Sequence, residues 1–336
     1  MRNQFVILLL ILMISCQSSN NPQEVNSNKI SGDIIIFHAG SLAVPFQKIA
    51  RAFEREYPGT KVLLEAAGSV DCARKITDLH KPCDLMASSD YKIIQKFLIP
   101  EYTSWYLPFA GNEMVIAYTD KTAFGDIISA QNWPEILLNH DIRYGRSDPD
   151  ADPCGYRTLM VMQLAGLYYG KTDLAEKLSA KDQKYIRPKE VDLLALLELH
   201  ETDYIFIYRS VAIQHGLKFL ELPDEINLKK MKLDEHYHQA GVTINGSTPS
   251  SSLEIRGESI VYAITKLDNG PNPKASEAFL HFLLNDDKGL KILNESGHNS
   301  LIPVAQNQEI YLPEYLKKYT IKITDSITTY EKATDY

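Results

Sequence analysis

Two carboxylates in this 336-residue chain, Asp152 and Glu190, lie where predicted helices begin, and at such positions a carboxylate can bind a ligand or take part in a reaction. Asp152 is followed by Pro153, the usual order of a helix N-cap and a first helical residue. Glu190 lies in the first turn of the next predicted helix, where the helix dipole favours a negative charge. Such carboxylates cap helices, act as an acid and base pair, or ligate a metal. Their positions alone leave these roles open.

Two Gly-Ser pairs could hold an anion, because each connects a predicted strand to a predicted helix. Gly40-Ser41 follows the apolar run 33–37, and Gly68-Ser69 follows the run 61–67. We expect Ser41 to be an N-cap, so that its hydroxyl and the free N–H groups of the first turn face one anion site. The alternative is that both pairs are ordinary turns without a ligand.

Other polar groups give weaker signals. Tyr208 ends the predicted strand 204–208, where a buried phenol needs a hydrogen-bond partner. We expect His38, beside the first Gly-Ser pair, to be a structural histidine, and His236-Tyr237-His238 to be a solvated surface segment. Gly257-Glu258-Ser259 lacks the pattern of a nucleophile elbow.

Taken in order, the segments around these residues resemble the tungstate/molybdate-binding proteins of the archaeal type, which feed ABC importers. The resemblance covers nearly the whole chain after its first fifteen residues. It is carried by five segments: Phe37-His38-Ala39-Gly40-Ser41-Leu42, Gly68-Ser69-Val70, Asp152-Pro153-Cys154-Gly155-Tyr156-Arg157, Arg187-Pro188-Lys189-Glu190 and Tyr208-Arg209-Ser210-Val211-Ala212.

The resemblance implies a binding site between two lobes. Residues of the first lobe would donate hydrogen bonds to the oxoanion, and residues of the second would close over it. The oxoanion-binding set is Gly40, Ser41, Ser69, Asp152, Pro153 and Tyr208. Asp152 and Glu190 would also enter the coordination sphere of the metal and make it six-coordinate. Sulfate and phosphate do not readily accept extra ligands, so the two carboxylates would repel them.

The function that follows is the capture of tungstate or molybdate and its delivery to the permease of an ABC importer. The oxoanion is the ligand, and we expect no cofactor and no catalysed reaction. Two alternatives stay open. The chain could bind another small anion or a metal ion, with Tyr208 and the carboxylates as ligands, or it could be an exported hydrolase that uses Asp152 and Glu190 as acid and base.

The order of predicted elements indicates an α/β fold. Strands alternate with helices, which is typical of mostly parallel sheets flanked by helices. We expect the two-lobed, class II periplasmic-binding-protein fold, in which two strands near Tyr118 and Tyr262 form a hinge. The first lobe would then comprise residues 31–117 and 262–336, and the second residues 118–261.

The N-terminus has the pattern of an export signal. Residues 1–15 combine Arg2 with an apolar run, and Met13-Ile14-Ser15-Cys16 resembles a bacterial lipobox. We expect cleavage before Cys16, lipidation of its thiol, and a flexible tether over residues 16–30. The protein would then sit on the periplasmic or cell-surface side of a membrane. The alternative is a secreted protein in which Cys16 is incidental.

Charge and cysteine content limit the partners. The net charge is −8 and no basic cluster is present, so we expect no nucleic-acid binding. We expect a monomer that contacts its anion and its permease. Cys72 and Cys83 are either a disulfide or two free buried thiols, and Cys154 would be left unpaired.

Overall fold

The computed structural model of the chain describes residues 30–181, 183–246, 250–306 and 312–322. The predicted signal peptide, Cys16 and the tether before residue 30 lie outside the described residues. Within the described ranges, no helix has the length and apolar character needed to cross a membrane.

Strands form a large part of the fold. Their bounds are β1 Gly32–Ala39, β2 Thr60–Ala67, β3 Leu85–Ser88, β4 Leu107–Asn112, β5 Met114–Tyr118, β6 Tyr144–Ser147, β7 Ile186–Arg187, β8 Tyr204–Tyr208, β9 Lys218–Glu221, β10 Gly241–Asn245, β11 Ser252–Arg256, β12 Ile260–Lys266, β13 Asn299–Ser300, β14 Val304–Gln306 and β15 Thr320–Lys322.

Helices cover the faces of the sheets. They are α1 Ala43–Glu56, α2 Ser69–Thr77, α3 Tyr91–Ile93, α4 Trp133–Leu138, α5 Pro153–Tyr168, α6 Leu174–Ala180, α7 Leu193–Glu198, α8 Arg209–Gln214, α9 Asp224–Asn227, α10 Asp234–Tyr237, α11 Pro273–Leu283 and α12 Gly289–Glu295. Short 3₁₀ segments occur at Gly40–Leu42, Gln183–Tyr185, Glu190–Asp192, Met231–Leu233 and Glu314–Tyr319, and Ile94–Leu98 is π-helical.

Two mixed sheets define two lobes, as predicted. The first lobe contains a six-stranded sheet in the order β13-β4-β12-β3-β1-β2, and the second a five-stranded sheet in the order β7-β6-β8-β5-β9. In the first sheet β12 runs antiparallel to β3 and β4, and in the second β5 runs antiparallel to β8 and β9. Most strands of each sheet therefore point the same way.

The chain changes sheets at Glu113, earlier than the predicted crossing at Tyr118. Asn112 ends β4 in the first sheet and Met114 starts β5 in the second, so the strand predicted near Tyr118 belongs to the second sheet alone. The buried carboxylate of Glu113 lies at the break, 3.2 Å from Lys229 Nζ. One straight strand cannot pair within two separate sheets, so the chain breaks its strand at the polar residue between them, Glu113. The return to the first sheet occurs before Ile260, just ahead of the predicted Tyr262.

The sheet register gathers the predicted binding segments. Ala39 pairs with Ala67 in parallel β1 and β2, so both Gly-Ser turns start at the same point of the sheet edge. In the second sheet Ser147 pairs with Arg187, so the segments leading to Asp152 and Glu190 also leave one edge. Ligands of α/β sheets bind outside the carboxyl ends of strands such as these.

Aromatic packing holds the first turn in place. Phe46 and Phe53 of α1 are fully buried and contact Phe279 of α11, with ring centroids 6.4 and 5.3 Å apart. Such pairs contribute about 0.5–1.5 kcal/mol each beyond their burial. The start of α1, and with it Gly40-Ser41, is thereby fixed on the sheet.

Candidate functional site

Ser41 lies at the edge of the first sheet but does not cap a helix, so the N-cap prediction was wrong. Gly40–Leu42 form a 3₁₀ turn, and α1 starts after Leu42 without a side-chain cap. The buried Ser41 hydroxyl instead accepts a hydrogen bond from the Tyr262 hydroxyl at 2.9 Å. Because its oxygen accepts this bond, the Ser41 proton remains available for a ligand.

Ser69 occupies the first position of α2, after Gly68. Its buried hydroxyl accepts a hydrogen bond from the backbone N–H of Ser89 at 3.0 Å and lies 3.2 Å from the Ser89 hydroxyl. The turns after β1, β2 and β3 therefore form one connected edge of the first lobe.

Asp152 caps α5 as predicted. Its side chain accepts a hydrogen bond from the Cys154 N–H at 3.3 Å, and Pro153 is the first helical residue. The other carboxyl oxygen accepts a hydrogen bond from the backbone N–H of Glu190 at 2.9 Å. Asp152 therefore ties the start of α5 to the start of the 3₁₀ turn Glu190–Asp192. This turn and α7 replace the single helix that was predicted to have Glu190 in its first turn.

Glu190 is fully buried, and neither carboxyl oxygen has a hydrogen-bond partner among the described residues. Burial raises the pKa of Glu190 well above its usual range, and the nearby carboxyl of Asp152 raises it further. Burial also raises the pKa of Asp152, against the hydrogen bonds that this carboxyl accepts. Buried acceptors of this kind need a proton or an electrophile, which is what a metal centre supplies.

The two lobes touch at this pair of carboxyls. A Cβ atom added to Gly40 would lie 3.2 Å from each carboxyl oxygen of Glu190. One added to Gly68 would overlap the carbonyl group of Ala151 and lie 3.1 Å from the Asp152 Cβ. Gly68 is therefore needed for this close approach, in which segments of the two lobes are in contact.

Tyr208 ends β8 as predicted and is fully buried. Its hydroxyl accepts a hydrogen bond from Arg157 at 2.9 Å, and burial raises its pKa well above the usual range. Arg157 also contacts the Asp90 carboxylate at 3.1 Å and donates to the Ser89 carbonyl at 2.7 Å. The phenol is thus neutral and held by a cation that bridges the lobes.

Sequence reasoning missed several residues of this region. Tyr262 and Arg157 lie inside predicted elements. Only their contacts with distant residues, Ser41 for Tyr262 and Tyr208 for Arg157, show that they lie near the site. Ser147 ends β6, is fully buried, and has a hydroxyl without a hydrogen-bond partner among the described residues. The sequence places Ser147 in a polar segment just after the predicted strand 142–145, and this position alone indicated no role for it.

Other predicted groups are structural. Burial lowers the pKa of His38 to about 4, and its Nδ1 lies 2.8 Å from the Ala39 carbonyl oxygen. Cys72, Cys83 and Cys154 are free buried thiols, so the disulfide alternative is not realised. In the part of the chain that the structure describes, no group of three or more His, Cys, Asp or Glu side chains could hold a metal ion.

The sequence matches the family of bacterial extracellular solute-binding proteins over residues 34–299. A protein of Petrotoga mobilis named as an uncharacterized solute-binding protein is 48% identical over 275 residues, which cover 82% of this chain and 85% of the relative. The molybdate/tungstate-binding protein WtpA of Thermococcus kodakarensis is 41% identical over 325 residues, which cover 89% and 90%.

Solved structures share the fold at low sequence identity. The periplasmic molybdate-binding protein of Azotobacter vinelandii aligns with a TM-score of 0.57 and 16% identity over 79% of this chain and 98% of that one. The sulfate-binding protein SubI of Mycobacterium tuberculosis aligns with a TM-score of 0.55 and 14% identity over 80% and 86%. The two-lobed fold is confirmed, and the fold alone does not choose the anion.

Proposed function

The chain belongs to the family of bacterial extracellular solute-binding proteins, and we propose that it captures tungstate or molybdate between its two lobes. In this proposal Gly40, Ser41 and Ser69 bind the oxoanion from the first lobe, and Asp152, Pro153 and Tyr208 from the second. Asp152 and Glu190 complete the coordination of the metal. Relatives at 41% identity that are named molybdate/tungstate-binding proteins support this choice of ligand.

The observation that carries the proposal is the state of the Glu190 carboxyl. The two buried oxygens of Glu190 have no hydrogen-bond donor among the described residues, and acceptors left in this state cost free energy unless a ligand binds to them. When these carboxyls are ionised, as ligation of a metal requires, they would repel a sulfate or phosphate oxygen, because it carries negative charge and its central atom does not readily accept further ligands. Molybdenum and tungsten accept additional oxygen ligands, so the same oxygens would attract their oxoanions.

Membership of a solute-binding family also confirms that the chain is not an enzyme. The alternative of an exported hydrolase with Asp152 and Glu190 as acid and base is therefore rejected. A solute-binding protein carries its ligand as cargo and not as a cofactor. No observation on the site favours a bare metal ion. The Ser41 hydroxyl, whose oxygen accepts a hydrogen bond from Tyr262, has a proton to donate and so favours a ligand with acceptor oxygens.

The proposed function also requires attachment to a membrane and transfer of the oxoanion to a permease. We propose that Cys16 is lipidated, that residues 16–30 tether the domain outside the cell membrane, and that the closed monomer delivers its oxoanion to an ABC importer. The apolar run before Cys16 and membership of an extracellular protein family support this localisation outside the cytoplasm.

Calorimetric titration with four anions tests the proposal. Molybdate and tungstate should bind to the purified protein, and sulfate and phosphate should give no saturable heat at the same concentrations. Equal affinity for sulfate would contradict the role assigned to the carboxyls. Absence of binding by both metal oxoanions would overturn the proposed function.

A further inference from the structure

Arg157 of α5 is a buried cation whose contacts cross between the lobes. Its guanidinium lies 3.1 Å from the Asp90 carboxylate and donates to the Ser89 carbonyl, and both partners follow β3 of the first sheet. The same Asp90 oxygen accepts a 2.6 Å hydrogen bond from the Tyr156 hydroxyl. The side chains of Arg157 and Asp90 are each only 3% exposed.

One nitrogen of this guanidinium makes two hydrogen bonds. Arg157 Nη1 donates to the Ser89 carbonyl and also lies 2.9 Å from the Tyr208 hydroxyl, which is part of the proposed oxoanion site. Arginine has no acceptor atom, so the phenol oxygen must accept this bond. The phenol proton then has to point to another acceptor.

We infer that Arg157 is a positioning residue that turns the Tyr208 hydroxyl into a hydrogen-bond donor toward the bound oxoanion, and that it does so only when the lobes are closed. The inference rests on the proposed function, because it concerns the same site. The direction of the donor follows from the Arg157 contact, since a phenol whose oxygen already accepts one bond presents its proton elsewhere.

The dependence on closure follows from where the partners lie. Arg157 and Tyr208 belong to α5 and β8 of the second lobe, whereas Ser89 and Asp90 belong to the first. Opening the lobes would remove the carboxylate and the carbonyl from the guanidinium together. A long side chain released from two of its partners regains rotamer freedom and no longer fixes the phenol.

A double-mutant cycle on molybdate affinity tests this role. Arg157→Lys keeps the charge but replaces two separated nitrogens, Nη2 at Asp90 and Nη1 at Ser89 and Tyr208, with one compact ammonium on a shorter side chain that does not reproduce this planar geometry. Tyr208→Phe removes the donor. Each change should weaken molybdate binding about tenfold or more, as expected for a hydrogen bond to a charged group. Because both act through one hydroxyl, Arg157→Lys should change affinity less than about threefold in a Tyr208→Phe background.

Arg74→Gln is the matched control. Arg74 also reaches across the lobes, to the carbonyl oxygens of Asp150 and Asn245 at 3.3 Å each, but it does not contact Tyr208. It should keep molybdate affinity within about threefold of wild type, because these bonds are partly exposed to solvent. Thermal unfolding of each variant checks that it is folded, and Asp90→Asn replaces Arg157→Lys in the cycle if the latter does not fold.

The outcomes separate this inference from the proposed function. Independent, additive losses from Arg157→Lys and Tyr208→Phe would show that Arg157 does not act through the phenol. Wild-type affinity in Arg157→Lys would also overturn the inference while leaving the proposed function intact. A wild-type protein that binds neither molybdate nor tungstate would remove the proposed function, and the inference with it.

Discussion

At the scale of single residues, Glu190 is the group whose environment a ligand would change most. Its two carboxyl oxygens are buried beside Asp152 and have no partner among the described residues. Leaving such acceptors unpartnered costs about 1–3 kcal/mol. Coordination to a metal centre would offset that cost, so we expect ligand binding to stabilise the closed protein.

Replacing Glu190 with Gln separates ligation from helix capping. An amide is a neutral and poorer metal ligand, so affinity for molybdate and tungstate should fall at least about tenfold, or roughly 1.4 kcal/mol. Glu190 in the ionised form that ligates the metal would also repel sulfate, whereas glutamine cannot ionise, so the ratio of the molybdate affinity to the sulfate affinity should decrease. Titration of both anions into wild type and variant measures this.

Asp192→Asn is the control for that experiment. Asp192 lies in the same 3₁₀ turn and is partly exposed. Its loss should leave anion affinity unchanged. Wild-type molybdate affinity in Glu190→Gln would show that Glu190 only stabilises its turn.

His38 makes stability depend on pH. Its pKa falls from 6.5 to about 4 because the ring is buried, so folding requires the neutral form. A depressed pKa adds stability above pH 6.5 that is lost as pH falls toward 4. The loss is roughly 3 kcal/mol at most. Between pH 7 and pH 4, wild type should lose about that much more unfolding free energy than His38→Gln in denaturant titrations.

The exposed His140 supplies the control, because His140→Gln should follow the wild-type pH curve. Parallel curves for wild type and His38→Gln would mean that His38 does not need to be neutral in the fold.

Local sequence predicted some site residues better than others. Asp152 was identified because Asp-Pro at a helix start is a local signal, and the cap is present. The Ser41 hydroxyl was misassigned because its partner Tyr262 is 221 residues away and competes with the local cap. Arg157 was quoted only as part of a segment, since its role depends on tertiary contacts with Asp90 and Tyr208.

At the scale of elements, the turns after β2 and β6 set how closely the lobes approach. Gly68 precedes α2 in the first lobe, and Ala151 precedes α5 in the second. A Cβ atom at Gly68 would lie 2.8 Å from the Ala151 carbonyl carbon, which real Cβ atoms do not tolerate. The overlap exists only when the lobes are closed, so Gly68→Ala should penalise closure and not the folding of either lobe.

Gly68→Ala should therefore weaken molybdate binding at least about tenfold, roughly 1.4 kcal/mol, with little change in thermal unfolding of the ligand-free protein. Small-angle scattering should show that wild type becomes more compact with molybdate and that the variant does so less. Gly241→Ala is the control, because its nearest contact would be an ordinary 3.4 Å. Full compaction of Gly68→Ala would argue against this closed arrangement.

The sequence patterns predicted elements more reliably than the points where the chain crosses between sheets. Strand 204–208 was predicted with its observed bounds, because it is a continuous apolar run. The apolar run 114–118 is equally continuous, yet nothing in it shows that the chain changes sheets just before it, at Glu113. The partners of the Glu113 carboxylate, Lys229 and Arg209, come from distant parts of the chain. Periodicity carries no information about such partners.

At the scale of the whole molecule, the proposed lipid anchor at Cys16 would hold the binding domain at a membrane. If Cys16 carries a lipid, Cys16→Ala should abolish incorporation of labelled fatty acid and release the protein from membranes, because the anchor would be its attachment. Metabolic labelling and membrane fractionation measure both effects. Unchanged labelling of the variant would refute lipidation, and the binding site would be unaffected by that result.

The central claim is that Asp152 and Glu190 become ligands of the metal inside the closed molecule. X-ray absorption at the molybdenum edge of the molybdate-loaded protein tests it most directly, since it counts the oxygen neighbours of the metal. We expect a six-coordinate centre in wild type and a lower coordination number in Glu190→Gln. A four-coordinate, tetrahedral molybdate in the wild-type protein would contradict it.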